Sequence, residues 1–65
     1  MYEINYFDGS SKTQQFKRRN DAIKQFDAIK ASQIGLQWID LYDPKGHIIG
    51  QWDDKPASHN WRVLH

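Results

Sequence analysis

The stretch Leu36-Gln-Trp-Ile-Asp-Leu-Tyr-Asp-Pro-Lys-Gly-His-Ile-Ile-Gly-Gln-Trp52 is typical of two β-strands joined by a tight turn, and it decides the fold. Pro44 presets φ for the first central position of a type I turn, and Gly46 can adopt the left-handed conformation that closes a three-residue loop. The predicted pairs are Asp43–His47, Tyr42–Ile48, Leu41–Ile49, Asp40–Gly50, Ile39–Gln51 and Trp38–Trp52.

Because side chains alternate between the two faces of a sheet, this register predicts two apolar faces. One face carries Ile39, Leu41 and Ile49. The other carries an aromatic set around one carboxyl group, namely Trp38, Asp40, Tyr42, Ile48 and Trp52. A two-residue loop would shift the pairing by one residue, moving Ile48 and Trp52 to the aliphatic face and Ile49 to the aromatic face. The sequence leaves both registers open, and in either one both faces are apolar.

The composition of the 65 residues bounds the class of protein. The length suits one small domain, predicted to be a single α+β domain over residues 1–65, with a stability of a few kcal/mol. There is no cysteine, which excludes disulfides and is compatible with a reducing cytoplasm. No apolar run approaches a membrane span, so no membrane partner is expected. A net charge of +1 does not by itself indicate nucleic-acid binding.

Outside the hairpin, the chain predicts two further strands and one helix. Partial alternation indicates a strand over Met1–Phe7, and a polar edge strand is expected to return over Lys12–Phe16. Apolar residues then recur at helical spacing, with Asn20 as the expected N-cap and Gly35 as the stop, giving about three turns. That apolar stripe comprises Ala22, Ile23, Phe26 and Ile29. A last short strand is possible within Ala57–His65.

These elements predict an α+β fold in which one helix packs on one face of a small antiparallel sheet, in the order ββαββ or βαββ. The helix suits the aliphatic face, which leaves the aromatic set as a surface for another protein or a second copy of the chain. The alternative is that the helix covers the aromatic set as the core. Asp40 would then be buried in mid-strand, which is costly, and the aliphatic face would need the partner.

A second candidate site is the basic run Lys17-Arg18-Arg19 at the start of the helix. The simple interpretation is a solvated corner between strand and helix. The alternative is a possible phosphate-binding site, since a helix N-terminus adds N–H donors and positive potential, and nearby aromatic rings could stack on bases. Asp40, Asp53 and Asp54 would oppose a nucleic acid lying across the sheet.

Neither metal binding nor catalysis is indicated. His47, His59 and His65 match no metal-ligand spacing, even with Asp53 and Asp54 added, and they are expected to be ordinary surface residues. The serines and carboxylates form no recognisable nucleophile or acid–base arrangement. We therefore expect no metal, no cofactor and no enzymatic activity.

Two segments carry a resemblance to a class of small proteins: Phe16-Lys-Arg-Arg-Asn-Asp-Ala-Ile23, and Ile39-Asp-Leu-Tyr-Asp-Pro-Lys-Gly-His-Ile-Ile49 with Trp52. They resemble orphan proteins encoded by bacteriophages, prophages and plasmids. The resemblance implies a protein that binds and blocks a bacterial host enzyme or defence complex. The expected function is therefore a non-enzymatic protein-binding module of the inhibitor type, and a small nucleic-acid-binding protein is the alternative.

Overall fold

The computed structural model describes residues 1–54, which form a four-stranded antiparallel sheet with one helix on one face. The elements are β1 (Tyr2–Phe7), β2 (Ser11–Phe16), α1 (Arg19–Ser32), β3 (Trp38–Tyr42) and β4 (Ile48–Asp53). The strand order across the sheet is β2-β1-β3-β4. The α+β prediction in its ββαββ form is therefore confirmed, while the strand suggested within Ala57–His65 lies outside the described residues.

The first hairpin turns at Asp8, whose carboxylate also ties the turn to the end of the helix. Lys12 Nζ lies 2.8 Å from Asp8 Oδ2, and the side-chain amide of Gln33 donates to the same oxygen at 2.6 Å. Gly9 has a φ of 110°, which a residue with a side chain rarely adopts. β2 then runs back along β1, with Phe7 opposite Ser11 and Tyr2 opposite Phe16, so the predicted polar edge strand is confirmed.

Helix α1 spans 14 residues, about four turns rather than the three expected from its stripe. The prediction that Asn20 caps it is wrong: Arg18 is the N-cap, and its carbonyl accepts the first helical hydrogen bond from the Ala22 N–H at 3.1 Å. Asp21 lies in the first turn, where a carboxylate favours the helix dipole. The helix ends at Ser32, before Gly35, whose φ of 78° redirects the chain toward β3.

The hydrophobic core lies between α1 and one face of the sheet, which we call the helix-side face. Ala22, Phe26 and Ile29 of the predicted stripe are buried, and Ile23 packs against them. The sheet and the α1–β3 connection contribute five more buried apolar side chains, namely Ile4, Tyr6, Leu36, Ile39 and Leu41. The prediction that the helix covers Ile39 and Leu41 is confirmed, and the alternative that it covers the aromatic set is wrong.

The turn between β3 and β4 has the predicted geometry. The Gly46 N–H donates to the Asp43 carbonyl at 3.0 Å, and the Asp43 N–H donates to the His47 carbonyl at 2.9 Å. Asp43 Oδ1 accepts from the N–H groups of Lys45 and His47 at 2.9 and 2.8 Å. Gly46 has a φ of 87°, as the three-residue loop requires.

Beyond the turn, the register departs from the prediction because of a β-bulge. Tyr42 lies opposite Ile48 as predicted, but Leu41 lies opposite Gly50, so Ile49 is the extra residue. Every later pair is shifted by one, with Asp40 opposite Gln51 and Trp38 opposite Asp53. Ile49 is 36% exposed and belongs to neither the buried cluster nor the side chains packed against it, so its predicted place on the aliphatic face is wrong.

The bulge brings Gly50 and Trp52 to the helix-side face. A Cβ added to Gly50 would lie 3.3 Å from Cζ of Phe26, so the ring of the helix residue packs directly on the strand backbone. Trp52 lies opposite Ile39 and packs, half-buried, against the core. The prediction that Trp52 shares a face with Trp38 and Tyr42 is therefore wrong.

Two single-residue deletions test this register. Removing Ile49 deletes the bulge but keeps Gly50 opposite Leu41 and Trp52 opposite Ile39, so we expect the stability to change by no more than about 1 kcal/mol. Removing Gln51 moves Trp52 to the opposite face, and we expect a loss of about 2 kcal/mol or more.

The measurement is urea unfolding followed by circular dichroism, together with tryptophan emission. Equal losses for the two deletions would contradict the observed pairing.

Candidate functional site: the outer sheet face

The sheet face opposite α1, here called the outer face, consists of three rows of side chains that run across all four strands. The first row is Ser11, Phe7, Trp38 and Asp53. The second row is Thr13, Asn5, Asp40 and Gln51. The third row is Gln15, Glu3, Tyr42 and Ile48. No helix lies over this face within residues 1–54.

The first row contains a pair of stacked aromatic rings. The centroids of Phe7 and Trp38 are 6.3 Å apart, and the ring planes are inclined by 12°. The rings come from neighbouring strands, and Asp53 follows directly in the same row, opposite Trp38. All three residues are half-buried. The row therefore presents flat apolar surface next to a carboxylate.

The second row is polar, and its central residue is buried. Asp40 is 5% exposed, although it lies on the face without the helix. It sits between Asn5 and Gln51, and the Tyr42 hydroxyl donates to its Oδ2 at 3.4 Å. The Thr13 hydroxyl donates to Asn5 Oδ1 at 2.7 Å. The middle of the outer face is thus hydrogen-bonded and not an apolar core.

The third row borders a shallow depression of about 380 Å³ beside the β3–β4 turn. It is lined by Met1, Glu3, Asn5, Tyr42, Asp43, Pro44 and Gly46. The side-chain amides of Asn5 and Gln15 donate to Glu3 at 2.9 and 3.2 Å, and they lower the pKa of its carboxyl group. The N–H groups of His47 and Lys45 lower the pKa of Asp43 in the same way. Both groups favour the ionised form, and cationic neighbours contribute to this: the Met1 amino group for Glu3, and Lys45 and His47 for Asp43.

Four of the five predicted partner-binding residues lie together on the outer face: Trp38, Asp40, Tyr42 and Ile48. Ile48 is 45% exposed, whereas Trp38 and Tyr42 are half-buried. Trp52, the fifth, lies on the helix-side face.

Sequence reasoning left out Phe7, Glu3 and Asp53, although the alternation of β1 already placed Glu3 and Phe7 on one side. The β1–β3 pairing joins Glu3 and Phe7 to the site, and the bulge in β4 brings Asp53 opposite Trp38. Nothing in the local sequence pattern predicts either feature.

The basic run lies at the corner between β2 and α1. Lys17, Arg18 and Arg19 are all exposed, and no carboxylate within residues 1–54 forms an ion pair with them. The corner adjoins Phe16, at the opposite end of β2 from Ser11, so it is remote from the Phe7–Trp38 ring pair. The cations therefore form a site separate from the aromatic rows.

Metal ligands are not gathered in the described part of the chain. Residues 1–54 contain no group of three His, Cys, Asp or Glu side chains placed to hold a metal ion. His47 is exposed, with Nδ1 3.5 Å from Asp43 Oδ2, whereas His59 and His65 lie outside the described residues.

Within residues 1–54, no helix has the length and apolar character needed to cross a membrane.

Comparisons with known proteins identify no relative. No family model, no curated protein and no solved structure matches this chain.

The Asp43 carboxyl group predicts a specific dependence of stability on pH. Folding lowers the pKa of Asp43, so its ionised form stabilises the native state at neutral pH, and this contribution is lost as the pH falls below about 4. Asp43→Asn keeps an oxygen acceptor for the two turn N–H groups but cannot titrate. We therefore expect its melting temperature to fall less between pH 5 and pH 2 than that of the wild type.

Asp43→Ala removes the acceptor and serves as the comparison, with a lower melting temperature already at pH 7. Thermal unfolding followed by circular dichroism measures all three proteins. A wild-type slope in Asp43→Asn would assign the acid sensitivity to other groups, such as Glu3 and Asp8, whose pKa values are also lowered.

Proposed function

We propose that this protein is a non-enzymatic protein-binding module that attaches to its target through the outer face. The observation that supports the proposal is the stacked Phe7–Trp38 ring pair, which lies on the sheet face opposite α1, with Tyr42 two rows away. Half-buried aromatic side chains beside a few polar groups have the composition of interface centres. A soluble β-sheet that turns aromatic rings away from its only described helix gains burial when another surface covers them.

The class of target follows from the resemblance to phage, prophage and plasmid proteins. On that basis, the target is a bacterial host enzyme or a defence complex, which the protein inhibits by occupying a surface. A cytoplasmic location, in the host cell for a phage-encoded protein, belongs to the same proposal. No cofactor and no catalytic step are needed for this mode of action.

An alanine scan with capture from bacterial lysate tests the assignment of the face. Trp38→Ala and Tyr42→Ala should each weaken target binding by about 2 kcal/mol or more, which is roughly thirtyfold, because aromatic anchors at interface centres contribute on that scale. Lys24→Ala, on the exposed side of α1, is the matched control and should bind as the wild type does. Mass spectrometry identifies the captured protein.

Trp52→Ala is informative for the opposite reason. Trp52 packs against the core, so its loss should lower the stability and leave binding by the remaining folded protein unchanged. If Trp38→Ala and Tyr42→Ala stay folded and capture as much target as the wild type, the outer face is not the binding surface.

Sedimentation at several concentrations shows whether the face instead joins two copies as a homodimer.

A small nucleic-acid-binding protein is the second candidate, because Lys17, Arg18 and Arg19 are exposed and form no ion pair with residues 1–54. Asp21 in the first turn weakens the positive potential there. This candidate predicts that single-stranded or duplex DNA binds at low salt and dissociates steeply as salt is raised. A gel shift that is absent at low salt, or unchanged in Lys17→Ala/Arg18→Ala/Arg19→Ala, would exclude it.

A further inference from the structure

The charged and aromatic groups of the outer face already have partners within this one chain. Trp38, Asp40, Tyr42 and Asp53 each take part in a polar, charged or ring interaction besides the contacts named above. In the third row, the Met1 amino group acts on Glu3. A molecule that binds this face must therefore compete with groups of the protein itself.

The segment that follows β4 is long enough to reach the whole of this face. β4 ends at Asp53, in the first row at the edge of the sheet, and residues 55–65 continue the chain after Asp54. The seven residue steps from Asp54 to Trp61 span up to about 23 Å. The three rows are about 13 Å long and the four strands about 14 Å wide, so every position on the face is within reach.

The composition of residues 55–65 complements the first row. Their sequence, Lys-Pro-Ala-Ser-His-Asn-Trp-Arg-Val-Leu-His, has no acidic side chain, and Trp61 and Arg62 are adjacent in it. The first row places its aromatic ring pair next to Asp53. An indole packs favourably against such rings, and a guanidinium pairs with a carboxylate. The helix-side face offers no such place, because α1 already packs on it.

We propose that the segment Trp61–Leu64 of this chain docks on the first row of the outer face, and that the target must displace it. Trp61 packs against the ring pair, and Arg62 pairs with Asp53. The docking is independent of the proposed function, whereas the competition with the target rests on it. Because the segment is tethered, its effective concentration is on the order of 1 mM, so a contact with a Kd of about 0.1 mM keeps it docked in about nine molecules of ten.

The first test uses NMR of the full chain and needs no target. In the wild type, we expect nuclear Overhauser effects between the Trp61 indole and the rings of Phe7 and Trp38. In Trp61→Ala, the signals of these two rings should shift, whereas the α1 amides should keep theirs, because α1 packs on the opposite face. Circular dichroism checks that the variant remains folded.

Charge variants test the pairing of Arg62 with Asp53. Arg62→Gln and Asp53→Asn should shift the Trp38 indole signal in the same direction, and the double variant should add little to either single change, because both remove the same contact. Lys24→Gln makes the same change of charge on the exposed side of α1 and should leave that signal in place.

Three results would overturn the docking. They are ring signals that do not respond to Trp61→Ala, an indole signal of Trp38 that responds to Lys24→Gln as it does to Arg62→Gln, and ring contacts that arise between differently labelled molecules in a mixed sample. The last result would assign the first row to a second copy of the chain.

The target identified by capture tests the competition. Trp61→Ala should bind it at least about threefold more tightly than the wild type does, because the apparent Kd is the Kd of the open face divided by the fraction of molecules in which the face is open. Equal or weaker binding would overturn the competition. Failure of the proposed function gives a different pattern, in which Tyr42→Ala, outside the first row, binds as tightly as the wild type while the ring contacts of Trp61 persist.

Discussion

The contact of the Phe26 ring with the backbone of Gly50 joins the helix to the edge strand β4, and it depends on the β-bulge beside it. A side chain on residue 50 would meet the ring and Leu41 at close to 3.3 Å, so the absence of a Cβ lets α1 approach β4. The bulge at Ile49 is what brings Gly50 opposite Leu41, and it brings Trp52 onto the same side. One extra residue thus decides which side chains of β4 face the core and which lie on the outer face.

The outer face combines a hydrogen-bonded centre with aromatic end rows. Its central row is held by hydrogen bonds around the buried Asp40, and its end rows present aromatic rings beside carboxyl groups. In the proposed complex, the exposed polar groups of this row, such as Gln51, would need hydrogen-bond partners, and this need would favour one orientation of the bound protein. The aromatic rings would supply apolar area for that contact.

Much of this fold could be predicted from local sequence signals, and the errors have identifiable causes. The turn at Asp43–Gly46 was predictable because Pro44 restricts φ to the value that the turn needs, while Gly46 tolerates the positive φ that closes the loop. The bulge was not, since the run Ile48-Ile49-Gly50 fits a regular strand equally well. Gly50 was the available signal, because glycine inside a strand often marks a bulge or a close approach of another element. Glu3 and Phe7 were missed because their place in the candidate site depends on the β1–β3 pairing, which joins segments distant in sequence, and Asp53 was missed because its place depends on the bulge.

That pairing also has a consequence for how the chain assembles. Each hairpin, β1 with β2 and β3 with β4, forms between neighbouring segments, whereas the central ladder joins Phe7 to Trp38 across both β2 and the helix. The loop-closure entropy of folding is therefore concentrated in one docking event between two locally formed halves. Since α1 contacts both β1 and β3, its packing stabilises the two hairpins only once they are paired, which makes their docking cooperative.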